Sequence, residues 1–330
     1  MSTQEHSLFQ SRISRRSLLI GGGAAALGLA TARSSSLARF PTPYANPDGL
    51  VSAAWVMQHA DQIKLVAFMP VETFEAGHIP GSARIDAPEL TVASTADASI
   101  TAWQSQVEGT LTRLNLAPGD TVVIYDDGSL FGARLWWILD LLGHADKRIL
   151  NGGMAAWQAA RGEIETGPST VTSSAGDYAG TLDHAKLATR TDVLMSLGDP
   201  RFTLIDAREA AAFQVGHIPH AINYDFSYNA EAGPVAVWKS ADLLNALYAG
   251  LGITPDKRVV SYCYSGVHSC VTYFTLKMLG YPDVRVYTGS WDEWKTNPYY
   301  PREAGSSSSL KNAPVRQSTQ IRVGDSLLES

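Results

Sequence analysis

The second half of the chain repeats the first. Residues 65–80 end in Gly-His-Ile-Pro, and they recur with the same ending as residues 204–219. Two further pairs of segments match in the same order: 117–126 with 254–263, and 152–157 with 289–294. A repeat of this length is the size of a domain and not of a solenoid unit. The sequence therefore predicts two similar domains in tandem.

Each half alternates short apolar runs with segments of helical periodicity. Residues 122–125 and 259–262 are apolar and end at a loop, which is typical of buried strands. Helical spacing follows over 267–278 and, in the first half, over about 133–142, and a glycine ends each pattern. Alternating strands and helices predict an α/β fold in which each domain is a mainly parallel sheet covered by helices on both faces.

Composition shifts mark the expected domain boundaries. The segment after Glu163 is rich in Gly, Ser and Thr and has little periodicity, which is typical of a linker. We therefore expect a first domain over 48–165, a linker over 166–184, a second domain over 185–303 and a polar tail over 304–330. The tail is either disordered or a strap lying on the domains, and its composition fits both.

The first 38 residues resemble an export signal. Arg15 and Arg16 precede an uncharged run over 17–32, which is shorter than the ~20 residues of a membrane span. Paired arginines before such a run are typical of a twin-arginine signal. Small residues around Ala32 and Ala38 offer cleavage sites. We expect the twin-arginine machinery to export the chain to the periplasm, with no stable membrane insertion after cleavage. An uncleaved membrane anchor is the alternative.

Charge and cysteine content exclude several classes of protein. The formal net charge is −6, whereas a nucleic-acid binder that contacts phosphates normally carries the opposite balance. Two cysteines are too few for a disulfide framework or a Cys-rich zinc site. The chain has neither a metal-ligand cluster nor a glycine-rich phosphate-binding fingerprint. We therefore expect no metal, no cofactor and no nucleic-acid partner.

Cys263 lies where a predicted buried strand gives way to a helix. The carboxyl end of a parallel sheet is where ligands bind in such folds. A tight loop there turns backbone N–H groups inward, and the following helix adds the positive end of its dipole. Such a cradle stabilises an anion or a thiolate, so Cys263 is the predicted nucleophile. We expect the loop residues to bind the substrate anion: Tyr264, Ser265, Gly266, Val267 and His268.

Two of the candidate residues have more than one interpretation. His268 is either a proton donor or a residue of the acceptor site, or else a polar residue at the rim of the loop. Arg208 follows a predicted strand two residues after Asp206. It either adds positive potential near the bound anion, as a substrate-binding residue, or forms an ion pair that fixes the loop.

Cys270 and the two histidines of the Gly-His-Ile-Pro elements are expected to be structural. Cys270 lies on the apolar face of the predicted helix. A disulfide with Cys263 is disfavoured, because seven helical residues span about 10 Å, beyond the usual Cα separation. Each half has one histidine in this element, His78 in the first and His217 in the second, and we expect each to form a hydrogen bond within its own turn.

The Gly-His-Ile-Pro element, the loop 263–268 and the segment 289–294 resemble, in this order, the markers of tandem rhodanese sulfurtransferases. The resemblance covers about residues 48–303. It implies two similar α/β domains, of which only the second is catalytic, and sulfur transfer through a cysteine persulfide. It also implies a small sulfur-anion donor, thiosulfate or 3-mercaptopyruvate, and a thiophilic acceptor such as cyanide or a thiol.

The first half lacks the residues that carry this chemistry. Asp126 stands at the position of Cys263 and cannot carry a sulfur. Residues 67–69 are Ala-Phe-Met, where the second half has Asp206-Ala207-Arg208. Three tryptophans of the first half are expected to serve a core or an interdomain face: Trp136, Trp137 and Trp157.

The loop composition leaves the sulfur donor open. Tyr264 and Ser265 stand where thiosulfate-preferring animal members of the family resemble Arg-Lys and mercaptopyruvate-preferring members resemble Gly-Ser. We expect thiosulfate as the donor, with 3-mercaptopyruvate as the alternative. A non-catalytic sulfur-carrier or anion-binding module is the rival from another class. A phosphatase is disfavoured, because Ser269 stands where its phosphate-clamping arginine is expected.

Overall fold

The structure is a computed structural model that describes residues 42–172 and 176–305. The predicted export signal lies outside the described residues, and so does the predicted tail apart from residues 304 and 305. Within the described ranges, no helix combines the length and apolar character needed to cross a membrane.

The first half is built on a parallel sheet of five strands in the order β1-β5-β4-β2-β3. Its strands are β1 (Leu50–Val51), β2 (Ile63–Phe68), β3 (Ala83–Ile85), β4 (Thr121–Asp126) and β5 (Asp146–Leu150). Its helices are α1 (Ala53–Gln58), α2 (Val71–Ala76), α3 (Asp97–Arg113), α4 (Gly132–Leu141) and α5 (Gly153–Ala159).

The second half has a parallel sheet of four strands in the order β7-β6-β8-β9. The strands are β6 (Phe202–Asp206), β7 (Ile222–Asn223), β8 (Arg258–Tyr262) and β9 (Val284–Val286). The helices are α6 (Arg190–Ser196), α7 (Ala210–Val215), α8 (Ala241–Gly250), α9 (Val267–Met278) and α10 (Ser290–Trp294). A single parallel bridge from Leu187 to Val286 stands where the first half pairs β1 with β5.

Alternate strand residues enter different cores, so both faces of each sheet are covered. In β4, Val122 and Ile124 pack on one face, and Val123 and Tyr125 pack on the other. This alternation follows from the two-residue period of a strand. The face that carries Val122 belongs to a core shared by the two halves, whereas each outer face has a core of its own. The predicted α/β class, parallel sheets and covering helices are confirmed.

The helices that follow the two central strands pack against each other across the halves. Every residue of α4 is buried, as are most residues of α9. The Trp136 ring meets the Phe274 ring edge-on at 4.9 Å between centroids, and Tyr273 Oη donates to Asp140 Oδ2 at 2.7 Å. Trp136 therefore serves the interdomain face, as one of the two expectations had it.

Trp137 and Trp157 were expected to serve a core or an interdomain face as well. Trp137 Nε1 donates to the Lys186 carbonyl oxygen at 3.3 Å, so it also reaches towards the second half. Trp157 packs in the outer core of the first half.

The described part of the predicted linker lies along the first half. Ser169 Oγ donates to the Ser82 carbonyl oxygen at 2.7 Å, and the Thr181 N–H donates to the Leu142 carbonyl oxygen at 3.0 Å. Tyr178 is buried, and its hydroxyl lies 3.0 Å from His144 Nδ1. This segment is therefore fastened to the domain that it leaves. The boundaries at 165 and 185 stay a prediction.

Candidate functional site

Cys263 directly follows β8, at the carboxyl end of a central strand of the second sheet. Its N–H donates to Ser290 Oγ at 3.1 Å, and its carbonyl oxygen accepts the N–H of Trp291 at 3.0 Å. Both partners lie at the start of α10. The backbone of Cys263 is thus fastened to a second element, which fixes where its side chain can reach.

The loop that follows turns one amide directly onto the sulfur. The Gly266 N–H donates to Cys263 Sγ at 3.1 Å. Gly266 has φ +95°, a left-handed conformation that favours glycine, and it is the N-cap of α9. A sulfur that accepts a hydrogen bond at the start of a helix is stabilised as an anion. In the described chain, Gly266 is the loop residue whose amide reaches Sγ. The substrate-binding roles of Tyr264, Ser265 and Val267 stay predictions.

Cys270 is a buried thiol, as expected. Its S–H donates to the Gly266 carbonyl oxygen at 3.0 Å, and burial raises the pKa of Cys270 to about 12. Neither cysteine is in a disulfide. Cys270 therefore stays protonated at neutral pH and does not compete with Cys263 as a nucleophile.

Arg208 forms the ion pair that was one of its two interpretations. It is 1% exposed, and its Nη2 lies 2.6 Å from Asp206 Oδ2 and donates to the Gly216 carbonyl oxygen at 2.7 Å. Its guanidinium lies over the Tyr264 ring at 5.3 Å. This pair holds the start of the Gly-His-Ile-Pro element against the strand end. Asp206 offsets the Arg208 charge, and the substrate-binding role of Arg208 stays a prediction.

Tyr264 is paired with an acidic residue that the sequence reasoning missed. The hydroxyl of Tyr264 donates to a carboxylate oxygen of Glu209. Burial and the neighbouring Glu209 raise the pKa of Tyr264, so its ring stays neutral. Glu209 is exposed and directly follows the Asp206-Ala207-Arg208 element, which was the available signal. The loop is thus bordered by a negative charge.

His268 stacks between aromatic rings from both halves of the chain. Its ring lies 4.2 Å from that of Phe226 and 5.2 Å from that of Phe131. Its Nδ1 is buried without a hydrogen-bond partner in the described structure. Burial lowers the pKa of His268 to about 4, so the imidazole is neutral at pH 7. A neutral imidazole disfavours the role of proton donor, and the acceptor-site role of His268 stays a prediction.

The histidines of the two Gly-His-Ile-Pro elements bond their own turns, as predicted. His217 Nδ1 lies 2.8 Å from the Phe213 carbonyl oxygen, and His78 Nδ1 lies 3.0 Å from that of Phe74. Each ring also stacks on the phenylalanine whose carbonyl it contacts.

The equivalent loop of the first half holds a carboxylate in place of a thiol. Asp126 accepts the N–H of Gly128 at 2.9 Å and that of Gly132 at 3.0 Å. Burial raises the pKa of Asp126 to about 6. The first-half loop therefore binds an anionic group of its own chain. In the described ranges, no three His, Cys, Asp or Glu side chains converge as metal ligands would.

The family model for the rhodanese-like domain matches this chain twice, over residues 52–160 and 189–297. The chain belongs to the rhodanese family. This rhodanese is 32% identical to the thiosulfate sulfurtransferase of Pseudomonas aeruginosa, over 74% of its own length and 92% of that protein. It is 28% identical to the 3-mercaptopyruvate sulfurtransferase of Escherichia coli, over 77% of its own length and 97% of that protein.

A solved structure shows the same architecture. The crystal structure of the E. coli 3-mercaptopyruvate sulfurtransferase SseA superposes with a TM-score of 0.66 at 28% identity, over 74% of this chain and 99% of that one. Rhodaneses transfer sulfur through a cysteine persulfide, so this tandem rhodanese is a sulfurtransferase.

Substitution of Gly266 should damage the site more than substitution of a comparable glycine in the first half. A Cβ on Gly266 would lie 2.7 Å from Thr288 Oγ1 and 2.8 Å from its carbonyl oxygen, whereas one on Gly128 would meet nothing within 4 Å. Both glycines have positive φ. We expect Gly128→Ala to cost about 1–2 kcal/mol and Gly266→Ala about 3 kcal/mol, with loss of turnover. Urea unfolding and a sulfurtransferase assay measure both, and equal losses would contradict the account.

His268 should make stability depend on pH. The imidazole is neutral in the fold, but in the unfolded chain it titrates near its ordinary pKa of 6.5. The contribution of the neutral imidazole to the free energy of unfolding is therefore full above pH 6.5. It is lost as pH falls towards 4, because the unfolded state then binds more protons than the folded state. Between pH 7 and pH 5 the loss should reach up to about 2 kcal/mol.

The His268→Phe variant should lose less stability than the wild type over that interval, as measured by urea unfolding at the two pH values. The exposed His184 provides the control, since His184→Gln should keep the wild-type pH dependence. The same pH dependence in His268→Phe and wild type would show that burial does not lower the pKa of His268 in the fold.

Proposed function

We propose that this rhodanese moves the sulfane sulfur of thiosulfate to a thiophilic acceptor, cyanide or a thiol, through a persulfide on Cys263. The observation that carries the proposal is the Gly266 N–H, which points at Cys263 Sγ from the start of α9. The equivalent first-half position holds Asp126, so one chemical site serves the two domains. Both cysteines are buried, but Cys270 is disfavoured as the carrier, because its pKa is raised to about 12 and its S–H donates to the Gly266 carbonyl oxygen.

The reaction has two half-steps. The Cys263 thiolate attacks the outer sulfur of thiosulfate; a new S–S bond forms, the S–S bond of thiosulfate breaks, and sulfite leaves with the electron pair. The acceptor then attacks the outer sulfur of the persulfide and restores the thiolate, giving thiocyanate when the acceptor is cyanide. The Gly266 amide stabilises the sulfur whenever it is anionic. A covalent intermediate of this kind predicts ping-pong kinetics.

The border of the loop favours 3-mercaptopyruvate as a second candidate donor. Tyr264 is neutral and paired with the Glu209 carboxylate, so this border offers a dianion little positive charge. The Glu209 carboxylate repels a donor with one negative charge less than it repels a dianion. Thiosulfate remains the proposed donor because of the P. aeruginosa relative and the expected export of the chain.

A slow sulfur carrier is the remaining alternative. The sulfur carrier protein TtuD of Thermus thermophilus is 32% identical to this chain over 76% of its length. A carrier would keep the persulfide but turn over slowly, so the steady-state rate with cyanide separates the two.

Mass spectrometry of peptides after incubation with thiosulfate alone tests the proposal. One added sulfur is expected on the Cys263 peptide, and it should disappear when cyanide is added. Cys263→Ser should abolish turnover, while Cys270→Ser should still load sulfur. Asp126→Ala should leave turnover within about threefold in a folded protein, because it alters only the first-half loop.

Sulfur found on Cys270 would contradict the assignment of the nucleophile. Sulfur loaded on Cys263 by 3-mercaptopyruvate but not by thiosulfate would keep the nucleophile and overturn the donor. Loading by thiosulfate without turnover would indicate the carrier.

We also propose that the chain is exported to the periplasm by the twin-arginine route. Support comes from Arg15 and Arg16 before the uncharged run. Replacement of both arginines by lysine should retain the protein in the cytoplasmic fraction, as measured by immunoblotting of cell fractions. Unchanged export of that variant would refute the route.

A further inference from the structure

An arginine of the first half reaches the cysteine loop of the second. Arg134 lies in α4 and is 1% exposed. Its Nη1 donates to Thr288 Oγ1 at 2.9 Å and to the Gly266 carbonyl oxygen at 3.3 Å. Its Nη2 donates to the Leu90 carbonyl oxygen at 2.7 Å. One guanidinium therefore joins first-half backbone to the residue that caps α9.

The charge of Arg134 has no acidic partner among residues 42–172 and 176–305. No carboxylate of those ranges lies within 4 Å of it, and its Nε has no hydrogen-bond partner there. Its neighbours are neutral oxygens, the Cys270 sulfur, to which Nη1 donates at 3.7 Å, and the rings of Trp103 and Trp137, at 5.7 and 4.9 Å. Arginine remains protonated in proteins, so a buried guanidinium without a counter-charge is costly to keep. An anion close to it would be strongly favoured.

Gly266 connects this guanidinium to the nucleophile. Its carbonyl oxygen accepts from Arg134, and its N–H donates to Cys263 Sγ at 3.1 Å. The two groups flank the same left-handed Cα, so holding the carbonyl also holds the backbone conformation from which the N–H meets the sulfur. The contact of Arg134 with Thr288 restrains the guanidinium from the other side.

The duplication makes this arrangement one-sided. In the repeat, Asp126 matches Cys263, and Val271 of α9 matches Arg134. At that position α9 therefore offers no arginine to the first-half loop, which holds the Asp126 carboxylate. Of these two matching positions, only the one in the half without the cysteine supplies a cation to the other half.

We infer that Arg134 is a positioning residue for Cys263: it holds Gly266 in the conformation that donates to the sulfur, and its unpaired charge favours the thiolate. The inference rests on the proposed role of Cys263 as nucleophile. It also gives the first half a chemical task, because the cation of the site then comes from that half.

Alkylation of Cys263 by iodoacetamide in the full-length protein tests this role without any sulfur donor. The rate constant is measured against pH by mass spectrometry of the Cys263 peptide, which separates it from Cys270. In Arg134→Met we expect the rate at pH 7 to fall about tenfold and the midpoint of the pH profile to move to higher pH. Arg134→Lys keeps the charge and should restore the midpoint and part of the rate.

The matched control is Tyr273→Phe, which removes an interdomain hydrogen bond of the same helix pair, to Asp140, without touching the loop. It should lower the melting temperature and leave the alkylation profile unchanged. A wild-type profile in folded Arg134→Met, or the same shift in Tyr273→Phe, would overturn the inference.

If Arg134→Met does not fold, Arg134→Gln is measured in its place. It keeps an amide donor but loses the charge, and the midpoint should still move to higher pH. If neither variant folds, Arg134→Lys decides, because its fewer donors should slow alkylation two- to threefold relative to Tyr273→Phe. An unchanged rate would then contradict the inference. Because alkylation needs no thiosulfate, a failure of sulfur loading is distinguishable from a failure of this role.

Discussion

The burial of α4 against α9 is the contact on which the rest of this structure depends. A helix that is buried on all sides cannot remain in an isolated domain without exposing apolar surface. Every residue of α4 is buried, Asp140 included. Although burial opposes its ionisation, Lys147 and Lys186 lower the pKa of Asp140, so the interface carries a compensated charge. Each half thus supplies the cover that the other half needs.

This interface explains how a domain without a cysteine stays part of the site. The loop after β4 has filled its own cradle with the Asp126 carboxylate, so it offers no place for a sulfur. The helix after that loop still packs behind Gly266, and Phe131, just before the helix, stacks on His268. The proposed site therefore has one cysteine, but the residues around its loop come from both copies of the domain.

The features visible in the sequence were the local ones. The repeat, the strand that ends at Cys263 and the glycine at 266 depend on neighbours in the chain, so the α/β class, the course of α9 and the place of the loop were predictable. The histidines at 78 and 217 were read correctly for the same reason, since each bonds a carbonyl four residues earlier. Periodicity and turn chemistry are short-range signals.

Partners brought together by tertiary packing could not be predicted. Phe131 and Arg134 meet the second half only because α4 docks on α9, and no spacing within one half encodes that contact. Phe226 reaches His268 through a loop after β7. For Arg208 the sequence allowed two roles, and the choice between them depends on the conformation of its long side chain.

A crystal structure of the protein after exposure to thiosulfate would show directly whether Cys263, in the loop held by both halves, carries the sulfur. One additional sulfur is expected at the start of α9, bonded to Cys263 Sγ, with Gly266 still left-handed and in contact with Arg134. Cys270 should be unmodified. An additional sulfur on Cys270, or an unmodified Cys263 in a crystal of protein that turns over thiosulfate, would contradict it.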